Sequence, residues 1–112
     1  MSVYTCNVAE PYGSQLLSRV KTVAGRVRKE KWAKMRAGDV LYVTCDDGSE
    51  TKFLIRYLIY TNTFEDLYVQ CGSSLLPDLP MTAWEVYGSF PEITRELERD
   101  CGVVGVKVVR ME

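Results

Sequence analysis

Eight of the residues from 19 to 36 are basic (Arg19, Lys21, Arg26, Arg28, Lys29, Lys31, Lys34 and Arg36), and the one carboxylate among them is Glu30. That stretch is +7, while the rest of the 112-residue chain holds six basic and fourteen acidic side chains, so the total is −1. Net charge conceals such a layout, but a phosphate backbone responds to the local field. Trp32 stands among these cations, where an indole can stack on a base. A second role open to it is packing beneath the turn at Gly38-Asp39. The flanking Arg28, Lys29, Lys31, Lys34 and Arg36 form either a polyanion-binding face or a solvated basic surface.

The chain has no histidine. Ser–His, Cys–His and His-based acid–base mechanisms are therefore excluded, and any catalysis must run on Lys, Tyr, Ser/Thr, Cys or carboxylates. Cys6, Cys45, Cys71 and Cys101 are widely spaced, whereas zinc ligands usually come in close pairs. Four reduced thiols are expected, with no metal and no cofactor.

Composition is that of an ordinary globular domain, 46% hydrophobic and 26% charged. The length suits one domain spanning residues 1–112. No run approaches the ~20 apolar residues of a membrane span. Met1 to Asn7 lacks the basic start and apolar run of a signal peptide, so an intracellular monomer with no membrane partner is expected.

These residues must be positioned by short elements. Val3 to Val8 reads as an opening strand, and Pro11 suits the first position of a helix carrying Leu16, Leu17 and Val20. Thr22 to Arg28 can be extended, and Val40 to Cys45 has high strand propensity. Asp46-Asp47-Gly48-Ser49 is a hairpin signal leading into the longest strand, Thr51 to Tyr60. Alternation there puts Phe53, Ile55, Tyr57 and Ile59 on one face. Thr63 caps a helix with Phe64, Leu67 and Tyr68, whose Glu65 and Asp66 oppose the helix dipole. A proline-punctuated loop follows from Leu75 to Pro80, then a capping box at Thr82 and Glu85 around Trp84. Ser89 to Glu92 opens a further helix with an Ile93, Leu97 and Cys101 stripe ended by Gly102, and Val103 to Arg110 is the closing strand. The predicted class is α+β: a small closed or nearly closed β-barrel of about five to six strands with short helices, an open α+β sheet being the alternative.

Several marks fall in a telling order. Glu10-Pro11-Tyr12 precedes a helix, followed by Lys21-Thr22-Val23-Ala24-Gly25-Arg26, and then by Trp32 to Met35 with Gly38-Asp39 before a strand. Tyr60 to Leu67 and Gly102 to Val106 come next. From about residue 8 onward, this order resembles the ASCH family (activating-signal-cointegrator homology), which shares the PUA-like fold. The family's signature has Gly, Lys two residues on, Glu three after that and Arg two after the Glu. Lys21 and Arg26 are in register with it, while Arg19 stands at the Gly position and Ala24 at the Glu position. Some bacterial members similar to this pattern are N(4)-acetylcytidine amidohydrolases with a nucleophilic Thr at the Glu position. Ala24 offers neither a nucleophile nor a carboxylate.

The resemblance implies a ligand cleft around Lys21 and Arg26. Five apart in a strand, the two would face opposite sides, and a bend at Gly25 would turn both toward one cleft. Arg26 would grip a phosphate or carboxylate through its planar fork, and Lys21 would act as a point charge or, if desolvated, as a catalytic base. Tyr12, Thr22, Arg28 and Trp32 complete the expected ligand- or RNA-binding set, with core packing an equal alternative for Tyr12. Tyr87, Ser89 and Phe90 are candidates to close the pocket. The leading expectation is a module binding RNA, a nucleotide or a nucleoside. The alternatives are a small modified-nucleoside hydrolase or ribonuclease using Lys21, and a domain whose basic segment meets an acidic protein.

Overall fold

The Asp47 carboxylate organises the turn between two strands. It accepts hydrogen bonds from the Ser49 backbone N–H at 2.9 Å and the Ser49 hydroxyl at 2.6 Å, while Gly48 takes the positive φ of 86° that the reversal requires. The turn joins β3 (Val40–Cys45) to β4 (Glu50–Thr61) as the expected hairpin. The computed structural model describes residues 1–8, 12–19, 21–75 and 94–111. The positions of Pro11, Val20, the loop from 76 to 80, Thr82, Trp84, Glu85, Tyr87, Ser89, Phe90 and Ile93 lie outside the described residues.

Three more strands complete the sheet: β1 (Val3–Val8), β2 (Val23–Val27) and β5 (Val103–Arg110). Their order is β1-β3-β4-β5-β2, with β1 parallel to β3 and every other pair antiparallel. The chain folds as α+β, a mixed five-stranded sheet curled into a half-barrel. Among the described residues β1 and β2 remain edge strands, so the sheet is the nearly closed rather than the fully closed form of the expected small barrel. The short helices are α1 (Tyr12–Leu17), α2 (Lys31–Lys34), α3 (Phe64–Cys71) and α4 (Arg95–Cys101). No helix among the described residues is long and apolar enough to cross a membrane.

One expectation fails inside β4. Ile55 pairs with Val108 and Tyr57 with Lys107, so Arg56 is an extra residue bulged out of the ladder. The bulge resets the alternation. Phe53 and Ile55 are buried, but Tyr57 is 48% exposed, and Leu58 joins the core instead.

The two faces of β5 divide the core. Val104, Val106 and Val108 look into the half-barrel with Leu41, Phe53 and Ile55, while Val103 packs on the outer face with Val23, Val27, Phe64 and Leu67. Helix α3 lies close on that outer face because Gly25 of β2 and Gly105 of β5 are paired in register. A Cβ on Gly25 would stand 2.5 Å from Phe64 Cε2, and one on Gly105 would stand 2.6 Å from Leu67 Cδ1. The bend expected at Gly25 does not exist; this glycine sits in regular strand and makes room for a helix.

Helix α3 begins as the sequence indicates, with the Thr63 hydroxyl accepting from the Asp66 N–H at 3.0 Å. Helix α4 is capped in the same way by Thr94, whose hydroxyl accepts from the Leu97 N–H at 3.1 Å. It ends at Gly102, where φ is 76°. Its deepest side chain is Glu98 rather than the apolar stripe. The Glu98 carboxylate, almost wholly buried, accepts from the Phe64 N–H at 2.6 Å and so ties α4 to the start of α3. Replacing Gly25 by Ala is expected to lower stability by about 1–3 kcal/mol, since a methyl group must displace Phe64 from a filled site. Urea denaturation measures this, and an unchanged midpoint would show that α3 yields without cost.

Candidate functional site

Lys21 is 2% exposed, a rare setting for an ammonium group. It lies in the short connection between α1 and β2, held by its own N–H, which donates to Gln15 O at 3.0 Å. The next residue, Thr22, donates its N–H to Ser74 O at 2.9 Å, so the connection is pinned on both sides before the strand begins. The side chain runs inward, and Nζ donates to the carbonyl of Leu75. Nζ also stands 5.6 Å from the centre of the Tyr12 ring. Tyr12, the first residue of α1, packs against both core clusters, so the two roles considered for it are compatible.

Burial above all, together with the positive charge of Arg26, lowers the Lys21 pKa from 10.5 to about 7 against a small opposing effect of Cys71. The charge of Arg26 is felt at Lys21, but the bend expected to turn both toward one cleft is absent, and the two take different routes. Lys21 precedes the strand and so escapes its alternation. Arg26 points to the inner face, because its partner on β5 is Val104. Ala24 also shares that face, paired with Val106 and buried, and brings no hydroxyl to the site.

Arg26 is half-buried. Its Nη1 donates to Gly25 O at 2.7 Å, and its guanidinium lies 5.2 Å from the centre of the Trp32 ring. Trp32, partly buried, packs against the half-barrel core and lies 5.7 Å from Lys31 Nζ. Arg28 departs from this group. It is exposed beyond the end of β2, with its guanidinium 4.3 Å from the centre of the Tyr60 ring. Arg28 and Tyr60 border a polar cleft of about 840 Å³ between α3 and α4, which also takes in Asn62, Asp66, Arg95 and Arg99. Thr22 turns elsewhere again, its hydroxyl accepting from Lys107 Nζ at 2.7 Å.

The six expected site residues therefore separate. Tyr12 and Lys21 form one contact, Arg26 and Trp32 a second, Arg28 and Tyr60 a third, and Thr22 belongs with Lys107. Strand pairing reconnects two of these groups: Arg26 pairs with Val104, and Val104 with Tyr60, so the three form one row across β2, β5 and β4. Adjacent strands lie about 4.8 Å apart, which puts Arg26 and Tyr60 two strands, or roughly 10 Å, from each other. Tyr60 was missed as a site residue by sequence reasoning. It entered the sequence reading only as the first residue of the Tyr60 to Leu67 mark at the end of the longest strand, and the Arg56 bulge conceals which face it takes.

Each cation–ring contact among the described residues draws its cation from positions 21 to 31. The basic segment thus works through aromatic partners as well as charge. The four cysteines stand as free thiols, Cys6 and Cys45 buried and the other two half-buried, with burial pushing the Cys6 and Cys71 thiols up from their ordinary value.

No protein-family model and no curated protein matches this chain. Two solved structures share its fold. The crystal structure of hypothetical protein PH0355 superposes with a TM-score of 0.83 at 20% identity, covering 99% of this chain and 100% of that one. The solution NMR structure of protein PF0455 from Pyrococcus furiosus gives a TM-score of 0.71 at 23% identity, covering 100% of this chain and 99% of that one. At these identities the likeness carries the fold alone.

The Lys21 shift has a consequence for stability. Between about 7 and 10.5 the unfolded chain holds a proton that folded Lys21 has released, so stability rises as pH climbs through that window. Below the window both states carry the proton, and the cost of burying the charge is fully present. Relative to Lys21→Met, the wild-type protein is expected to gain about 2 kcal/mol in unfolding free energy between about pH 7.5 and pH 9.5. Denaturant titrations at the two pH values measure the difference, and parallel behaviour of the two proteins would contradict a depressed Lys21.

Proposed function

We propose that this protein is a binding module for single-stranded RNA or a nucleotide, of the ASCH and PUA-like type that its sequence resembles. The observation that carries the reading is a pair of ring–guanidinium contacts, Trp32 with Arg26 and Tyr60 with Arg28. Arg26 and Tyr60 stand in one row about two strands apart on the inner face of the curled sheet. Bases splayed from a single strand stack on such rings, and arginines beside them meet the phosphates. Tyr57 at 48% and Tyr60 at 51% exposure leave aromatic surface available on β4.

Lys21 supports the same reading from the inside. Holding an ammonium away from water near a second cation costs free energy, and an anionic or acceptor group arriving beside Tyr12 and Arg26 offsets part of that cost. A bound phosphate would return Lys21 to its charged form.

A second reading, a hydrolase of modified nucleosides such as N(4)-acetylcytidine, is favoured by one observation. A lysine with a pKa of about 7 is half neutral at physiological pH and suited to act as a base. Ala24 weighs against it, because losing a covalent nucleophile removes a reaction route, whereas losing a positioning group only slows one.

Binding of single-stranded RNA in the micromolar range or weaker is expected. Raising salt from about 50 to about 200 mM should weaken it markedly through counterion uptake. Arg26→Gln and Arg28→Gln should each reduce the slope of log affinity against log salt by about one. Tyr60→Ala should cost about 1–3 kcal/mol of binding if a base stacks there. Fluorescence anisotropy with labelled oligonucleotides reads all three. Salt-independent affinity, or full affinity in Tyr60→Ala, would contradict the proposal. Turnover of N(4)-acetylcytidine that Lys21→Ala abolishes would establish the hydrolase instead.

A further inference from the structure

The two outer strands of the sheet lie in different surroundings. Strand β2 is buried along nearly its whole length, whereas Val3, Thr5 and Asn7 of β1 are exposed, Val3 to 56%. The parallel pairing of β1 with β3 fixes what these three residues present. Val40 donates its N–H to Ser2 O, so the even-numbered residues of β1 bond to β3, and Val3, Thr5 and Asn7 turn both N–H and C=O away from the sheet. No strand among the described residues lies beyond them. Such an edge is a template for another extended chain.

Helix α2 stands beside this edge. The Tyr4 hydroxyl donates to Lys34 O at 3.3 Å, and Lys31 reaches the strand so that its Nζ donates to Thr5 O. A lysine on an edge carbonyl guards the strand against indiscriminate pairing. It also sets the charge of whatever can pair there. Lys31 belongs to the segment from 19 to 36 that carries +7, so two copies of this chain joined edge to edge would bring both basic segments together. A carboxylate beside Lys31 has the opposite effect, because an ammonium bonds a carboxylate more strongly than a neutral carbonyl.

We propose that the outer edge of β1 takes up an extended acidic segment of another protein as an added strand. Outward residues recur about every 6.6 Å along a strand, the period with which a second extended chain offers its own N–H and C=O groups. Main-chain bonds at Val3, Thr5 and Asn7 supply the affinity. Lys31, moved from the Thr5 carbonyl to a carboxylate of the segment, supplies the selection. The site uses none of Arg26, Arg28 or Tyr60, so it stands or falls separately from the RNA reading.

The test is titration of the intact protein with an acetylated and amidated hexapeptide of alternating glutamate and valine, followed by amide NMR and hydrogen exchange. Saturable shifts along β1 and α2 are expected, with exchange slowed at the Val3, Thr5 and Asn7 N–H groups. N-methylation of every second peptide residue should abolish binding in one phase of the alternation and spare it in the other, as a paired strand requires. Thr5→Pro removes one outward N–H and no bond to β3. It should weaken the peptide by about fivefold or more and leave single-stranded RNA binding unchanged. Lys31→Gln should weaken the peptide about two- to fivefold. Equal binding of a peptide of alternating lysine and valine, tolerance of methylation in both phases, or slowed exchange at the same amides with single-stranded RNA would overturn the proposal. So would a dimer that Thr5→Pro dissociates, which would assign the edge to a second copy of this chain.

Discussion

The close approach of α3 to the sheet across the Gly25–Gly105 pair is the contact on which the rest of this molecule depends. Phe64 and Leu67 occupy the space that two Cβ atoms would fill, and both are fully buried there. With its odd-numbered residues committed to this outer contact, β2 must turn Ala24 and Arg26 inward. The same packing brings the end of α3 and the 3₁₀ turn at Gly72–Ser74 alongside the start of β2. There the carbonyls of Ser74 and Leu75 receive the Thr22 N–H and the Lys21 ammonium. A glycine pair on one face of a sheet thus determines the placement of the basic residues on the other.

Glu98 secures that arrangement from the far side. A buried carboxylate accepting a backbone N–H at a helix start is a strong, charge-assisted bond, and it opposes the positive end of the helix dipole. It links α4, and through Gly102 the start of β5, to the helix resting on the glycine pair. The chemistry at the two ends of β5 then follows from where its neighbours stop. Near Val103 the strand ends expose Arg28 and Tyr60 beside an open cleft, and near Arg110 they enclose a small, largely apolar cavity.

Features encoded by a few consecutive residues were legible in the sequence. The Asp47-Gly48 hairpin, the Thr63 cap, the Gly102 stop and all five strands depend on local backbone preference and appear within a residue or two of their expected places. Features that depend on which strands become neighbours were not. The Arg56 bulge exists because β4 must serve β3 with its first half and β5 with its second, which no alternation pattern reveals. Gly25 read as a bend because its real partner, Gly105, lies 80 residues further along the chain. Glu98 drew no notice beside the expected Ile93, Leu97 and Cys101 stripe, since nothing nearby in sequence indicates the Phe64 N–H it meets. Within the candidate site, the basic character of the segment holding Lys21 and Arg26 was legible, but not that Lys21 is buried against Tyr12 while Arg26 meets Trp32. The division of the six residues among separate contacts, and the part of Tyr60, required the strand order.

The central claim is that the fold buries Lys21 against Tyr12 and the Leu75 carbonyl with a depressed pKa, a state that the proposed phosphate-bearing ligand would reverse. Carbon-detected NMR of the lysine Cε resonances, assigned through Lys21→Met and titrated with pH, measures this directly. The account predicts a Lys21 midpoint near 7 in the free protein, moving upward when a saturating single-stranded oligonucleotide is added. A midpoint near the ordinary lysine value of 10.5 in the free protein, or one that the oligonucleotide leaves in place, would contradict it.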